Sequence, residues 1–226
     1  MTQFFNKDAS KTYDEKNRRL AAISDNMHFL IRLILQDLPA RAQILCVGVG
    51  TGAEILSLSK VFPEWSFVGV DPSASMLEVC RERLTNEDVI DSCQLITGYV
   101  QDIPSTEKFD AVLSVLVGHF VKRDERLAFY QNISKRTRAG GYAINTEISF
   151  DLNSPEFPSM LENWKKIQAL MGGTPESLAS LPTQLRDMLT VLPPMEIEAL
   201  LKQSGFAKPV RFYQAFMISG WYSKKE

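Results

Sequence analysis

The sequence predicts an α/β fold, a doubly wound and mostly parallel sheet of seven strands, on three observations. Between Asp25 and Ser149, short runs rich in Val, Ile and Leu alternate with stretches whose apolar residues recur at helical spacing. The first of those runs ends in a glycine-rich turn that opens a helix. After a proline-rich interruption the chain closes on two β-rich runs separated by two residues, which predicts a C-terminal antiparallel hairpin.

The first predicted helix runs from Asp25 to Leu38, with Met27, Leu30, Ile31, Ile34, Leu35 and Leu38 on one face, Asp25 as N-cap and Pro39 as stop. Gln43 to Val47 is a strand, Ala53 to Phe62 a helix before Pro63, and Ser66 to Val70 the second strand. Ser73 to Leu84 reads as helix and Gln94 to Thr97 as strand. Ala111 to Leu116 is a fully apolar strand, Asp124 to Thr137 a helix and Tyr142 to Ser149 the fifth strand. Strands alternating with helices of this length imply parallel pairing through right-handed crossovers.

Residues 150–194 break the rhythm. Six prolines surround two amphipathic stretches, Met160 to Met171 and Leu178 to Leu189, which predict a helical cap insertion over the sheet. Met195 to Ser204 is a helix closed by Gly205, and Lys208 to Phe212 and Ala215 to Tyr222 form the hairpin. The 226 residues thus read as one domain, with residues 1–24 as an N-terminal lid segment.

With 25 basic and 27 acidic residues the net charge is −2, and no basic block beyond Lys224-Lys225 provides a footprint for nucleic acid, so a nucleic-acid partner is not expected. No run approaches the ~20 apolar residues of a membrane helix, and the N-terminus lacks the apolar stretch of a secretory signal. The three cysteines, Cys46, Cys80 and Cys93, lack metal-ligand spacing and read as reduced packing residues, which makes the cytoplasm the expected location. No metal site is expected. Nothing in the sequence sets the oligomeric state, and a homodimer stays open.

The turn after the first strand is Ile44-Leu45-Cys46-Val47-Gly48-Val49-Gly50-Thr51-Gly52. Glycines allow a sharp turn and let a polar ligand lie against the backbone, beside the N–H groups of the following helix. Glycine serves tight turns for steric reasons too. The weight comes from Asp71, at the end of Phe67-Val68-Gly69-Val70-Asp71, where an acid can accept both hydroxyls of an adenosine ribose. The bland alternative is an acid at a helix N-terminus beside Pro72 and Ser73.

The G-x-G-x-G spacing, in place of the dinucleotide G-x-G-x-x-G, resembles the class I S-adenosylmethionine (SAM)-dependent methyltransferases over residues 40–150. That resemblance implies a Rossmann-like fold, SAM as cofactor and methyl transfer to an acceptor, expected to be a small molecule. It implies a cofactor wall made of Gly48, Val49, Gly50 and Gly52, then Asp71, Pro72 and Met76. The segment after the third strand, with Tyr99, Val100, Gln101 and Asp102, would read adenine, Asp102 being equally a loop-capping acid. Ser114 and Val115 would line the methionyl part, and Tyr13 and Arg18 would form a lid, a charged, solvated N-terminal helix being the alternative reading of the same two residues. Asp110 caps its strand and Gly140-Gly141 turns into the fifth strand. Where the family commonly has an acid at the end of the first strand, this chain has Cys46, and Tyr99 stands where an acid often follows the glycine.

Outside the core the chain is similar to a subset that includes the carboxy-SAM synthase of tRNA modification. That enzyme's arginine for the extra carboxylate is replaced here by Leu200, which cannot form the charge-assisted pair, so ordinary SAM is expected. Transfer from a sulfonium mainly needs alignment and a dry site, with a base useful for hydroxyl or amine acceptors. His119, just past the fourth strand, is the candidate base, and a packed or capping imidazole is its structural alternative. Phe157, Met160, Trp164, Met171 and Met188 in the cap either shape an apolar pocket or bury the cap helices. A SAM-binding protein without turnover is the reading from a different class.

Overall fold

A computed structural model of the chain describes residues 18–226. Helix α1 spans Ala21–Leu35, β1 Gln43–Val47, α2 Ala53–Ser59, β2 Ser66–Asp71, α3 Ala74–Asn86 and β3 Cys93–Thr97. They are followed by β4 Phe109–Val115, α4 Arg126–Arg136, β5 Thr137–Ile148 and α5 Phe157–Leu170. Then come α6 Pro175–Ala179, a π-helical turn at Gln184–Met188, α7 Pro194–Gln203, β6 Phe206–Ala215 and β7 Ile218–Lys225.

The seven strands form one sheet in the order β3-β2-β1-β4-β5-β7-β6. β1 to β5 pair in parallel, and β7 enters antiparallel between β5 and β6. Alternation along β1 separates two cores. Ile44 and Cys46 face α1, α2, α3 and the cap helices, joining Met27, Ile31, Ile55, Leu58, Cys80, Trp164 and Ile167. Leu45 and Val47 face the other side, with Tyr130, Ile133, Ile197, Leu201 and Trp221. A sheet covered on both faces explains the near-continuous apolar character of β1 and β4. Among the described residues, no helix is long and apolar enough to cross a membrane.

Several boundaries differ from the sequence reading, and three of them have a local physical reason. Helix α1 begins at Ala21, so Asp25 lies inside it and the N-cap position is Leu20, without a side-chain cap bond. The helix-favouring Ala21-Ala22-Ile23 extends the turn upstream. Strand β5 begins at Thr137, which pairs with Phe109 before the register shifts so that Tyr142 pairs with Ala111. Gly140-Gly141 is therefore an irregularity inside the strand. The hairpin turns at Phe216-Met217 between Ala215 and Ile218, with Phe216 at φ 53°. A turn without Gly, Asn or Asp leaves no sequence signal.

Candidate cofactor and acceptor site

Strand order reverses between β1, which continues to β2 and β3 on one side, and β4 on the other, the point where open α/β sheets leave a crevice beyond their strand ends. A cavity lies there. Its floor is built from the ends of four strands: Val47, Gly48 and Gly50 after β1, Val70 to Met76 along β2 and its turn, Gly98 to Gln101 after β3, and Val115 to Val117 after β4. Gly48 has φ +66°, and a Cβ there would sit 2.4 Å from Val117 Cγ2, so glycine is what lets the outgoing β4 chain close against the loop. Gly52, at φ +79°, faces away from this floor; its added Cβ would meet Cys80 Sγ at 2.7 Å, so it seats the loop on α3. Leu116, at φ 57°, is held in that uncommon conformation by its N–H, which reaches Thr146 O at 2.7 Å and Thr146 Oγ1 at 3.1 Å.

Asp71 ends β2 on the cavity wall and is 8% exposed. Its Oδ2 accepts from Gly50 N at 2.9 Å and its Oδ1 from Ser73 N at 2.8 Å. Burial raises its carboxyl above the ordinary range, and these two N–H groups oppose the rise. A carboxylate offers about four lone-pair sites, so after both backbone bonds the remainder suits a vicinal diol. The turn after β3 presents Tyr99, Val100 and Gln101 to the same cavity. Asp102 does not line it; its Oδ2 accepts from Tyr99 N at 2.8 Å and shapes the loop. Buried Arg136, not singled out by the sequence reading, donates through Nη2 to Gln101 O at 3.0 Å and through Nε to Ile103 O at 2.8 Å, tying that loop to α4. A spacing argument does not find it, because 35 residues separate the partners.

Val115 lines the cavity, whereas Ser114 is buried one residue earlier, beside Val47 and Asn145, with its hydroxyl unpartnered among the described residues. His119 is on the wall and 3% exposed. Its Nδ1 accepts from Ile148 N at 3.3 Å, and burial followed by the Arg126 charge lowers its pKa to about 3. The ring is therefore neutral at ordinary pH, with its proton assigned to Nε2. Above it the wall is mostly apolar, formed by Phe120, Phe129, Trp164, Ile167 and Met171, with Gln168 the polar addition from α5. Met188 is 53% exposed and lies outside this wall.

On the other side of the glycine loop a second cavity opens toward α1; it shares Leu20, Gly48, Gly50, Val115, Leu116 and Ile218 with the first and is surrounded by Val49, Arg18, His28, Arg32, Glu54, Lys60 and Arg83. Arg32 Nη1 donates to Ser57 Oγ at 2.7 Å, and Arg83 Nη1 to Thr51 O at 2.9 Å. Cys46 is fully buried beneath, its thiol pushed well up by burial and then by Glu54. Tyr13 lies outside the described residues. Among the described residues no group of His, Cys, Asp and Glu could hold a metal. The glycine cradle and the buried acid of the floor, with the basic and acidic side chains beyond the loop, are chemically compatible with the adenosine and amino-acid parts of SAM.

The Methyltransferase domain family model matches residues 44–141. Over 127 residues the chain is 28% identical to an uncharacterised methyltransferase of Schizosaccharomyces pombe, covering 54% of this chain and 45% of that protein, so it spans about half the relative's length. Among solved structures, it is similar to PigF with SAH at a TM-score of 0.68 and 18% identity, covering 97% of this chain and 60% of that one. It is similar to a mitomycin 7-O-methyltransferase at 0.62 and 18%, covering 84% and 50%. The matched segment opens at the second residue of β1 and closes at the glycine irregularity of β5. The part of the chain that carries the cavity's four loops thus matches the Methyltransferase domain family model, and the fold is that of the methyltransferase structures named above.

Proposed function

We propose that this protein transfers the methyl group of SAM to a small, largely apolar acceptor held between the strand ends and α5. The carrying observation is one cavity with two kinds of wall, polar loops and Asp71 at one side and Phe120, Phe129, Trp164, Ile167 and Met171 at the other. Bound SAM supplies a methyl carbon already activated by its sulfonium. In this reading Asp71 holds the ribose, backbone groups of Tyr99 to Gln101 meet the adenine, Gly48 and Gly50 admit the methionyl chain, and Pro72, Met76 and Val115 complete the wall. The apolar cap orients the acceptor and keeps water out, which is where most of the rate advantage of such a transfer lies.

His119 fits a donor better than a base. With Nδ1 engaged, its Nε2–H can hold an acceptor oxygen in line without taking a proton. An amine, or a phenol that ionises in solution, then suits the site better than an aliphatic alcohol. Leu200 packs against the core on the far side of the sheet, outside the cavity lining, and gives no support to a carboxylated cofactor. The three unpaired thiols support a reducing, cytoplasmic setting.

Incubating the protein with methyl-labelled SAM and a small-molecule cell extract should move label into a low-mass product; no transfer, with SAM bound, leaves a ligand-binding protein instead. Asp71→Asn keeps the shape but weakens one acceptor. It should reduce affinity for S-adenosylhomocysteine by calorimetry about tenfold or more. Unchanged affinity moves the ribose elsewhere.

A further inference from the structure

In the SAM reading, the second cavity, across the glycine loop, receives the ligand's amino-acid terminus, and its chemistry differs from that of the adenosine end. An ammonium taken from water needs an anion or several carbonyls around it. Among the described residues, three acids line the second cavity. Asp25 and Glu87 are exposed, whereas Glu54 is 5% exposed, in the first turn of α2 directly after the glycine loop. Asp71 already gives an oxygen each to Gly50 N and Ser73 N at the other end. Cys46, at the end of β1, is a buried thiol held neutral.

Resting on the SAM reading above, we infer that Glu54 is the anionic partner of the ligand's α-ammonium group, filling from α2 the role that the thiol at position 46 cannot fill from β1. The groups facing Glu54 fit that role. Cys46 from β1 and Asp71 from β2 lie close enough to couple with it, as do Cys80 and Arg83 from α3. Cys93 at the start of β3 couples with the two thiols. His28 and Arg32 from α1, Lys60 at the end of α2, and Arg18 line the same space and can meet the ligand's carboxylate.

Burial raises the Glu54 carboxyl to about 8, with Asp71 adding to the rise and the Glu54 backbone N–H and Arg83 opposing it. At pH 7 the acid is therefore mostly protonated before binding. An arriving ammonium favours the ionised form, so binding expels a proton.

Calorimetry separates this from a structural role. Two ligands share the adenosine thioether: S-adenosylhomocysteine, which has the amino-acid end, and 5′-methylthioadenosine, which lacks it. Glu54→Gln should weaken the first about ten- to a hundredfold and leave the second unchanged. Titrations at pH 7 in buffers of different ionisation enthalpy should show proton release on S-adenosylhomocysteine binding to the wild type and none in Glu54→Gln. Equal weakening of both ligands, unchanged affinity for the first, or no proton release from the wild type overturns the inference. The proton measurement stands on the wild type alone should the variant not fold. Wild-type protein that binds neither compound overturns the cofactor reading itself, and this role with it.

Discussion

His119 shows how a single residue changes meaning between sequence and structure. Its place just past β4 is legible, because a strand ending at the crevice carries the next residues to the substrate side. Its charge is not legible, because that depends first on burial and then on the Arg126 charge brought beside it by the fold. With a folded pKa of about 3 against the ordinary 6.5, the unfolded state binds more protons between those values. The stabilisation is whole above 6.5 and is lost as pH falls toward 3. From pH 7.5 to pH 5 this costs about 2 kcal/mol. His119→Gln should remove that loss, measured as urea unfolding at the two pH values. Glu54 acts with the opposite sign, since its folded pKa of about 8 lies above the unfolded 4.5, so the stability it contributes is present at low pH and lost as pH rises through 8. Unfolding of Glu54→Gln against pH should therefore show a gain relative to wild type that grows toward alkaline pH.

The loop between β1 and α2 is where an element depends on another for its shape. Three alternating glycines were legible as a turn with room for a ligand. That Gly48 is also pressed by Val117, and Gly52 by Cys80, could not be read from spacing, since both contacts come from elements far along the chain. Gly48→Ala combines a left-handed φ with a 2.4 Å clash and should destabilise by about 1–3 kcal/mol. Adding Val117→Ala should relieve the clash and leave the backbone cost of about 1 kcal/mol, a non-additivity that a double-mutant cycle reads directly. The hairpin makes the reverse point. Its two strands were legible from β-rich composition, but the turn fell three residues later than expected. Pairing of β7 with β5 from Tyr142↔Lys224 to Ile148↔Ile218 fixes the register instead of turn chemistry.

Across the whole molecule, a buried polar network ties α4 to β5 and to the segment that follows the cap. Arg126 on α4 pairs with Glu147 on β5, both fully buried, and donates through Nη2 to Thr190 O at 2.8 Å beyond the cap. Tyr130 and Asn145 also bond the Glu147 carboxylate, Asn145 Nδ2 at 2.8 Å. Glu147→Leu leaves the Arg126 charge buried without its partner and should cost about 3–5 kcal/mol, seen as a lower urea midpoint at unchanged slope. The double change Arg126→Met, Glu147→Leu should recover much of that loss, because it removes both desolvation costs together.

By itself the sequence determined the α/β class, the seven strands, the G-x-G-x-G loop and the acid after β2, because these rest on periodicity and on residues a few positions apart. Tertiary structure alone decided which loop residues reach the cavity, that Asp102 and Ser114 do not, that His119 is neutral, and that Glu54 is a buried acid on the wall of the second cavity across the glycine loop. Those properties are set by burial and by partners brought together from distant strands, and neither is encoded in local spacing.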